Sequence, residues 1–240
     1  MGFTLLSNNA LSQVSDPDEF TPGWDTTGLM YANVFSAAGL TDNFVPGGVK
    51  PSVSGTLTVT GGYLKAGNNV NYLDLGITDT DNMTLIVVSR RASLADNRAL
   101  ISNYNGAGDP GKSLMYSAAN AQLFLAKADS AGTVSASSIT SALGVETGTM
   151  LTGRFTAATG AQLNNLTEAK TGLYTLPAGS TLVKSTALRT LRLGGAPTLF
   201  GVSGAAVDIA AALVFSRVLT DAELATIRAW LQKVIPSVAF

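Results

Sequence analysis

The sequence predicts an all-β fold: a sandwich of two antiparallel sheets with one short C-terminal α-helix. Three observations carry that prediction. From Ser54 onward, β-forming runs recur every ~8–12 residues, the rhythm of a sandwich. The segments between them hold Gly, Asn, Asp, Ser and Pro, the residues that build turns. One helical pattern, over residues 220–235, follows the long apolar run Ala206–Val218.

Residues 1–50 show little periodicity and carry turn formers at Asn8-Asn9, Asp16-Pro17, Pro22-Gly23 and Pro46-Gly47-Gly48. They read as an N-terminal arm that wraps its own domain or docks on a partner. Trp24, Tyr31 and Phe35 are its candidate anchors, and Phe3–Leu6 is a candidate edge strand. Residues 51–240 read as the sandwich. Its predicted strands are Thr56–Thr60, Tyr63–Lys65, Tyr72–Leu75, Met83–Arg90, Leu100–Tyr104, Leu114–Ser117, Gln122–Lys127, Thr149–Thr156, Leu173–Leu176 and Leu188–Gly194. The run Val207–Phe215 is nearly all apolar, so periodicity alone does not separate strand from helix. Its β-branched and aromatic residues, and the Gly-rich loop before it, favour a strand buried on both faces.

The helix is marked at both ends. Thr220 and Glu223 have the spacing of a capping box, in which each side chain bonds the other's backbone amide. Asp221 adds negative charge at the positive end of the helix dipole. Leu224, Ile227, Trp230, Leu231 and Val234 then share one face, and Pro236 ends the pattern.

Together, Leu191–Gly195, Gly204, Arg217, Leu219, Thr220, Asp221 and Glu223 form a Leu-x-Leu-Gly-Gly strand, a glycine, an apolar run and an Arg-x-Leu-Thr-Asp-x-Glu helix start. That ending resembles the laminin-G-like branch of the concanavalin A-like lectin/glucanase superfamily. The close resemblance covers about the last fifty residues, with a weaker match of strand rhythm back to Ser54. It implies a jelly-roll sandwich.

Composition excludes several chemistries. The chain has no Cys and no His, so disulfides, thiol catalysis, zinc–thiolate sites and histidine acid–base chemistry are absent. A net charge of −1 gives no pull toward nucleic acid or anionic membranes. The N-terminus lacks the basic and apolar regions of a secretory signal, and no apolar run has the length of a membrane helix. Charged residues are only 13% of the chain, a low value that suits a protein burying surface in an assembly.

Residues 106–113, Gly-Ala-Gly-Asp-Pro-Gly-Lys-Ser, satisfy the phosphate-binding-loop pattern. The helix that such a loop needs is missing, because Leu114–Ser117 reads as another strand. Paired-carboxylate glycoside hydrolysis, which the resemblance brings to mind, needs two acids on one face. The four glutamates, Glu19, Glu146, Glu168 and Glu223, are far apart, and Glu223 is accounted for as a cap. Asp79 and Asp81 alternate but sit in a polar turn before Met83. With Asp74 they are candidate oxygen ligands for Ca²⁺, outside any EF-hand spacing. An aromatic platform with amides and a carboxylate around it suits sugar recognition. Tyr72 has that setting, as do Asn103, Tyr104 and Asn105 with Asp109.

The expected function is therefore a non-enzymatic bacteriophage virion component, a tail-fibre, receptor-binding or capsid-decorating protein. Its loops are expected to contact bacterial surface glycan, and the alternatives are a free carbohydrate-binding lectin module and, after it, a glycoside hydrolase. The expected partners are copies of itself, a trimer being favoured, and other virion proteins. Nucleic acid and membrane insertion are not expected, and synthesis is placed in the bacterial host cytoplasm.

Overall fold

The computed structural model describes residues 20–36, 39–67, 70–105, 111–117, 122–130, 132, 134–196 and 206–240. These residues form two antiparallel sheets. The first runs β13 (Lys170–Thr175), β12 (Gly160–Asn165), β11 (Thr149–Thr156), β6 (Met83–Arg91), β15 (Ala206–Phe215), β4 (Tyr63–Gly67), β3 (Thr58–Thr60). The second runs β10 (Val134–Thr140), β9 (Gln122–Ala128), β8 (Ser113–Tyr116), β7 (Arg98–Ser102), β14 (Thr190–Leu193), β5 (Tyr72–Thr78), β2 (Ser52–Ser54). Among the described residues, no helix is long and apolar enough to cross a membrane.

The sheets face each other across a core that includes Leu64, Leu85, Val87, Leu151, Phe155 and Val207 from the first and Leu73, Leu75, Leu114 and Leu193 from the second. Successive strand residues point to opposite faces, so Ile86, Val88, Leu213 and Phe215 lie on the other side of the first sheet. There they meet Leu224, Ile227, Leu231 and Val234 of α1 (Asp221–Val234). The fold thus has three layers, helix on sheet on sheet. β15 is the strand buried on both faces that its composition predicts, and a bulge between Ile209 and Ala211 resets its alternation.

The arm expected over residues 1–50 is in part a piece of the sandwich. β1 (Leu29–Val34) pairs with β15 over Ala211–Phe215, while β4 pairs with Ala206–Ile209 of the same strand. One edge of β15 is therefore shared end to end by two strands. Tyr31 and Phe35 enter the inner core, and Trp24 packs with Phe20, Phe215 and Trp230 in the outer one. The free edge of β1 is sealed by Asn43, whose Oδ1 accepts from the amides of Ala32 and Val45 and whose Nδ2 donates to the carbonyls of Met30 and Val49. Phe3–Leu6 lies outside the described residues.

The Leu-x-Leu-Gly-Gly motif has a steric cause. Gly194 is left-handed, with φ of +79°, and a Cβ there would stand 2.2 Å from the Cβ of Ala66 on the facing sheet. Gly195 lies against the Tyr72 side chain, where a Cβ would meet the ring at 3.1–3.2 Å.

The helix start is built as the capping box predicts. Thr220 Oγ1 accepts from the Glu223 amide, and Glu223 Oε2 accepts from the Thr220 amide at 2.7 Å. Arg217 adds a 2.6 Å ion pair to the same carboxylate and ties it to Asp25 at 3.0 Å. The Arg217 guanidinium, the Thr220 amide and hydroxyl together hold the Glu223 carboxyl down at about 2.

Candidate functional site

A groove of about 560 Å³ runs between α1 and the outer face of β12 and β13. Its floor follows from strand alternation. Ala161 and Leu163 point into the core, so Gln162 and Asn164 lie on the opposite face, Gln162 half-buried and Asn164 4% exposed at the bottom of the groove. Register sets Thr171 of β13 opposite Asn164. Asn164 Oδ1 accepts from Gln162 Nε2 at 2.9 Å and from Thr171 Oγ1 at 3.0 Å, and its Nδ2 donates to Thr152 Oγ1. The amide row is therefore fixed in orientation before any ligand arrives.

The helix supplies the opposite wall. Ala225 and Ala229 are one turn apart and exposed, a shallow apolar strip on the groove. Gln232 is held by donation to the Phe240 carbonyl at 3.0 Å. Lys170 stands at the rim, paired with Glu168 at 2.9 Å. Burial opposes the charge on Glu168, but donation from Ser141, Lys170 and the Ala142 amide keeps its carboxyl below the usual range. A smaller hollow of about 160 Å³ continues past Gln162 toward Leu173, which is 71% exposed on the same face. Amides and a hydroxyl beside a flat apolar strip can bind a polyhydroxylated ring, whose hydroxyls need partners and whose C–H faces need apolar contact.

This groove was not among the residues singled out from sequence. β12 itself was missed, though Ala161-Gln162-Leu163-Asn164 alternates in the way a half-buried strand does.

The residues that were singled out lie elsewhere and do not converge. Tyr72 is half-buried on the outer face of β5. Its ring carries the Arg192 guanidinium at 4.5 Å and lies against Gly195. Asn103 is fully buried, and Tyr104 is 3% exposed. Asn105 is half-buried, and Asp109 lies outside the described residues. As placed, Asn103 and Tyr104 are both buried.

The three candidate calcium ligands separate as well. Asp74 stands on β5 and accepts from the Gly76 amide at 3.0 Å. Asp81 is exposed and faces Lys184 at 3.5 Å. Asp79, read from sequence as part of a polar turn, is buried. Its Oδ2 pairs with Lys112 Nζ at 2.9 Å, and its Oδ1 accepts from Asn103 Nδ2 at 2.8 Å. Its charge is thus spent on an internal lysine. Among the described residues no cluster of three or more acidic side chains forms a cation site.

Lys112 is the lysine of the phosphate-loop pattern. Its side chain is 1% exposed, turned into the protein rather than toward a nucleotide. Besides Asp79 it donates to the Thr80 carbonyl at 2.6 Å. Burial lowers its pKa, against the pull of Asp79. The knot ties together the ends of β5, β7 and β8, and Asp79 also accepts from the Ser185 amide ahead of β14.

Neither protein-family models nor the sequences of curated proteins match this chain. Solved structures do match its fold. The Trypanosoma rangeli sialidase in complex with sialic acid aligns with a TM-score of 0.63 at 14% identity, over 94% of this chain and 37% of that one. The binding domain of botulinum neurotoxin serotype D aligns with a TM-score of 0.62 at 11% identity, over 84% of this chain and 51% of that one. The receptor binding domain of botulinum neurotoxin type G gives 0.60 at 12%, over 85% and 51%. The chain spans about a third to a half of the length of these proteins, and at such identities the likeness is one of fold.

Proposed function

We propose that this chain is a non-catalytic, lectin-like β-sandwich module that binds glycan in the groove beside α1. The observation that carries the reading is the prearranged row Gln162, Asn164 and Thr171 facing the Ala225–Ala229 strip. The engagement of the described glutamates supports the non-catalytic part. Each described glutamate is engaged: Glu146 with Arg90, Glu168 with Ser141 and Lys170, Glu223 with Arg217 and Thr220. The concanavalin A-like assignment belongs to the same proposal, supported by the motif at Leu191–Gly195 and the helix start that follows it.

We place the module on a bacteriophage virion, as a self-associating component that meets bacterial surface glycan. Low charge and the absence of cysteine support that setting. The test is retention on immobilised lipopolysaccharide, capsular polysaccharide and teichoic acid. Ala229→Trp, which fills the groove from an exposed helix position, is expected to weaken retention at least ~10-fold, equivalent to about 1.4 kcal/mol. Tyr72→Ala is expected to leave it unchanged. No retention on any polymer, or full retention by Ala229→Trp, rejects the site. Proteomics of purified virions and light scattering of the protein alone test the location and the trimer.

A further inference from the structure

We propose that Lys112 and Asn103 are the two halves of a self-forming isopeptide cross-link, with Asp79 as the proton carrier between them. The arrangement is more specific than a buried ion pair requires. One carboxylate holds both nitrogens that such a reaction exchanges: Asp79 Oδ2 accepts from Lys112 Nζ at 2.9 Å and Oδ1 from Asn103 Nδ2 at 2.8 Å. The carbonyl to be attacked is polarised in advance, because Asn103 Oδ1 accepts from the Lys112 backbone amide at 2.7 Å. The amine has two acceptors, Asp79 Oδ2 and the Thr80 carbonyl. A neutral amine has two N–H groups to satisfy them, which leaves its lone pair free to attack.

Burial shifts Lys112 toward the neutral amine, against the pull of the Asp79 carboxylate. Lys112, Asp79 and Asn103 are all buried, which opposes an isolated charge on the amine. Burial of this kind activates lysine as a nucleophile and excludes the water that would compete. The other charged groups that act on Lys112 are Asp81 and Lys184, which are of opposite sign and paired with each other.

The step balances without a redox partner or cofactor. As the lone pair of the neutral Lys112 amine attacks Asn103 Cγ, the amine gives one of its two protons to the Asp79 carboxylate, and the oxyanion of the tetrahedral intermediate is held by the Lys112 backbone amide. As the intermediate collapses, the Nζ–Cγ bond stays and the Cγ–Nδ2 bond breaks. Asp79 passes a proton to the departing nitrogen, which leaves as ammonia. The product is a secondary amide in place of a primary one, and Asp79 ends as it began. In a chain without cysteine, such a bond does what a disulfide would do, stapling the end of β7 to the start of β8.

Intact-mass measurement of the purified, denatured chain decides the matter without any variant. The expected result is a mass lower than the sequence mass by one ammonia. Trypsin is then expected to leave the bond after Lys112 uncut and to release residues 99–127 as one looped peptide, lighter by one ammonia, with Asn103 joined to Lys112. An unchanged mass overturns the proposal. Loss of one water, mapped to Asp79 and Lys112, overturns the assignment of Asn103 as the acyl group. Asp79→Asn, which keeps shape and packing, is expected to abolish the mass loss in protein that is folded by circular dichroism. Persistence of the cross-link in that variant removes Asp79 from the mechanism. Lys112→Arg, which cannot form the amide, is expected to show the full sequence mass.

Discussion

Arg154, on the outer face of β11, holds Asp221, the first residue of α1, at 2.7 Å. Its other terminal nitrogen donates to the Leu219 carbonyl at 3.0 Å. Thr84, its cross-strand neighbour, accepts from the Leu219 amide and donates to the Arg217 carbonyl. The sheet thus fixes the loop from which the helix starts. Arg154→Met keeps the stem and removes both bonds, at an expected cost of about 1–3 kcal/mol. Hydrogen exchange is expected to quicken in α1 while β7 and β14 keep their protection. Uniform loss of protection across both sheets contradicts this account.

The Glu223 carboxyl titrates near 2 in the folded chain, below the ~4.3 of an unfolded glutamate. A depressed folded value means stability that is present in full above the unfolded value and lost as pH falls toward about 2. Melting temperature is expected to decline through that window, and Glu223→Gln to flatten part of the decline. Near neutrality Glu223→Ala is expected to cost about 1 kcal/mol as a lost cap. Parallel pH profiles for the variant and the parent rule out this role.

Asp208 of β15 sits between two cations in direct register, Lys65 on β4 and Arg90 on β6. The Arg90 guanidinium also lies 4.2 Å over the Tyr63 ring. Asp208 is nearly buried, while the two cations remain about a third and a quarter exposed. Removal is therefore unequal. Asp208→Ala leaves two cations side by side, an expected loss of about 2 kcal/mol. Lys65→Ala is expected to cost less than about 1 kcal/mol, because water solvates what remains. Equal costs in urea unfolding refute the ladder as described.

Gly194→Ala is expected to be among the most damaging small substitutions in the chain. Both φ of +79° and the 2.2 Å approach to Ala66 oppose a side chain there. The expected loss exceeds about 2 kcal/mol. Pairing it with Ala66→Gly relieves the clash but not the backbone strain, so the double variant is expected to recover only in part. Full recovery leaves sterics as the sole cause, and no recovery leaves only φ.

The residues with local signals were legible. β11 begins and ends where its β-forming run does, and Thr220 and Glu223 close the box their spacing predicts. β1 was hidden because Leu29–Val34 is buried on nearly every residue and so shows no alternation. β10 was hidden by its serines, which are poor hydrophobic markers. The knot was illegible for another reason. Asp79 and Lys112 are 33 residues apart, and only the pairing of β5, β14, β7 and β8 in one sheet brings them into contact. The groove likewise depends on register, since Thr171 meets Asn164 only through the β12–β13 turn.

The divided edge of β15 bears on how the chain is made. A ribosome delivers β1, β4 and β6 long before Ala206–Phe215, yet all three take that strand as a partner. Until it emerges, the middle of the first sheet is a gap, with three strands waiting on unpaired edges. Such edges pair with whatever strand is nearest, including those of a neighbouring nascent chain. A chain stopped short of residue 206 is thus expected to be not a smaller sandwich but an insoluble one, and full-length chains made on one crowded message face the same hazard for as long as synthesis takes.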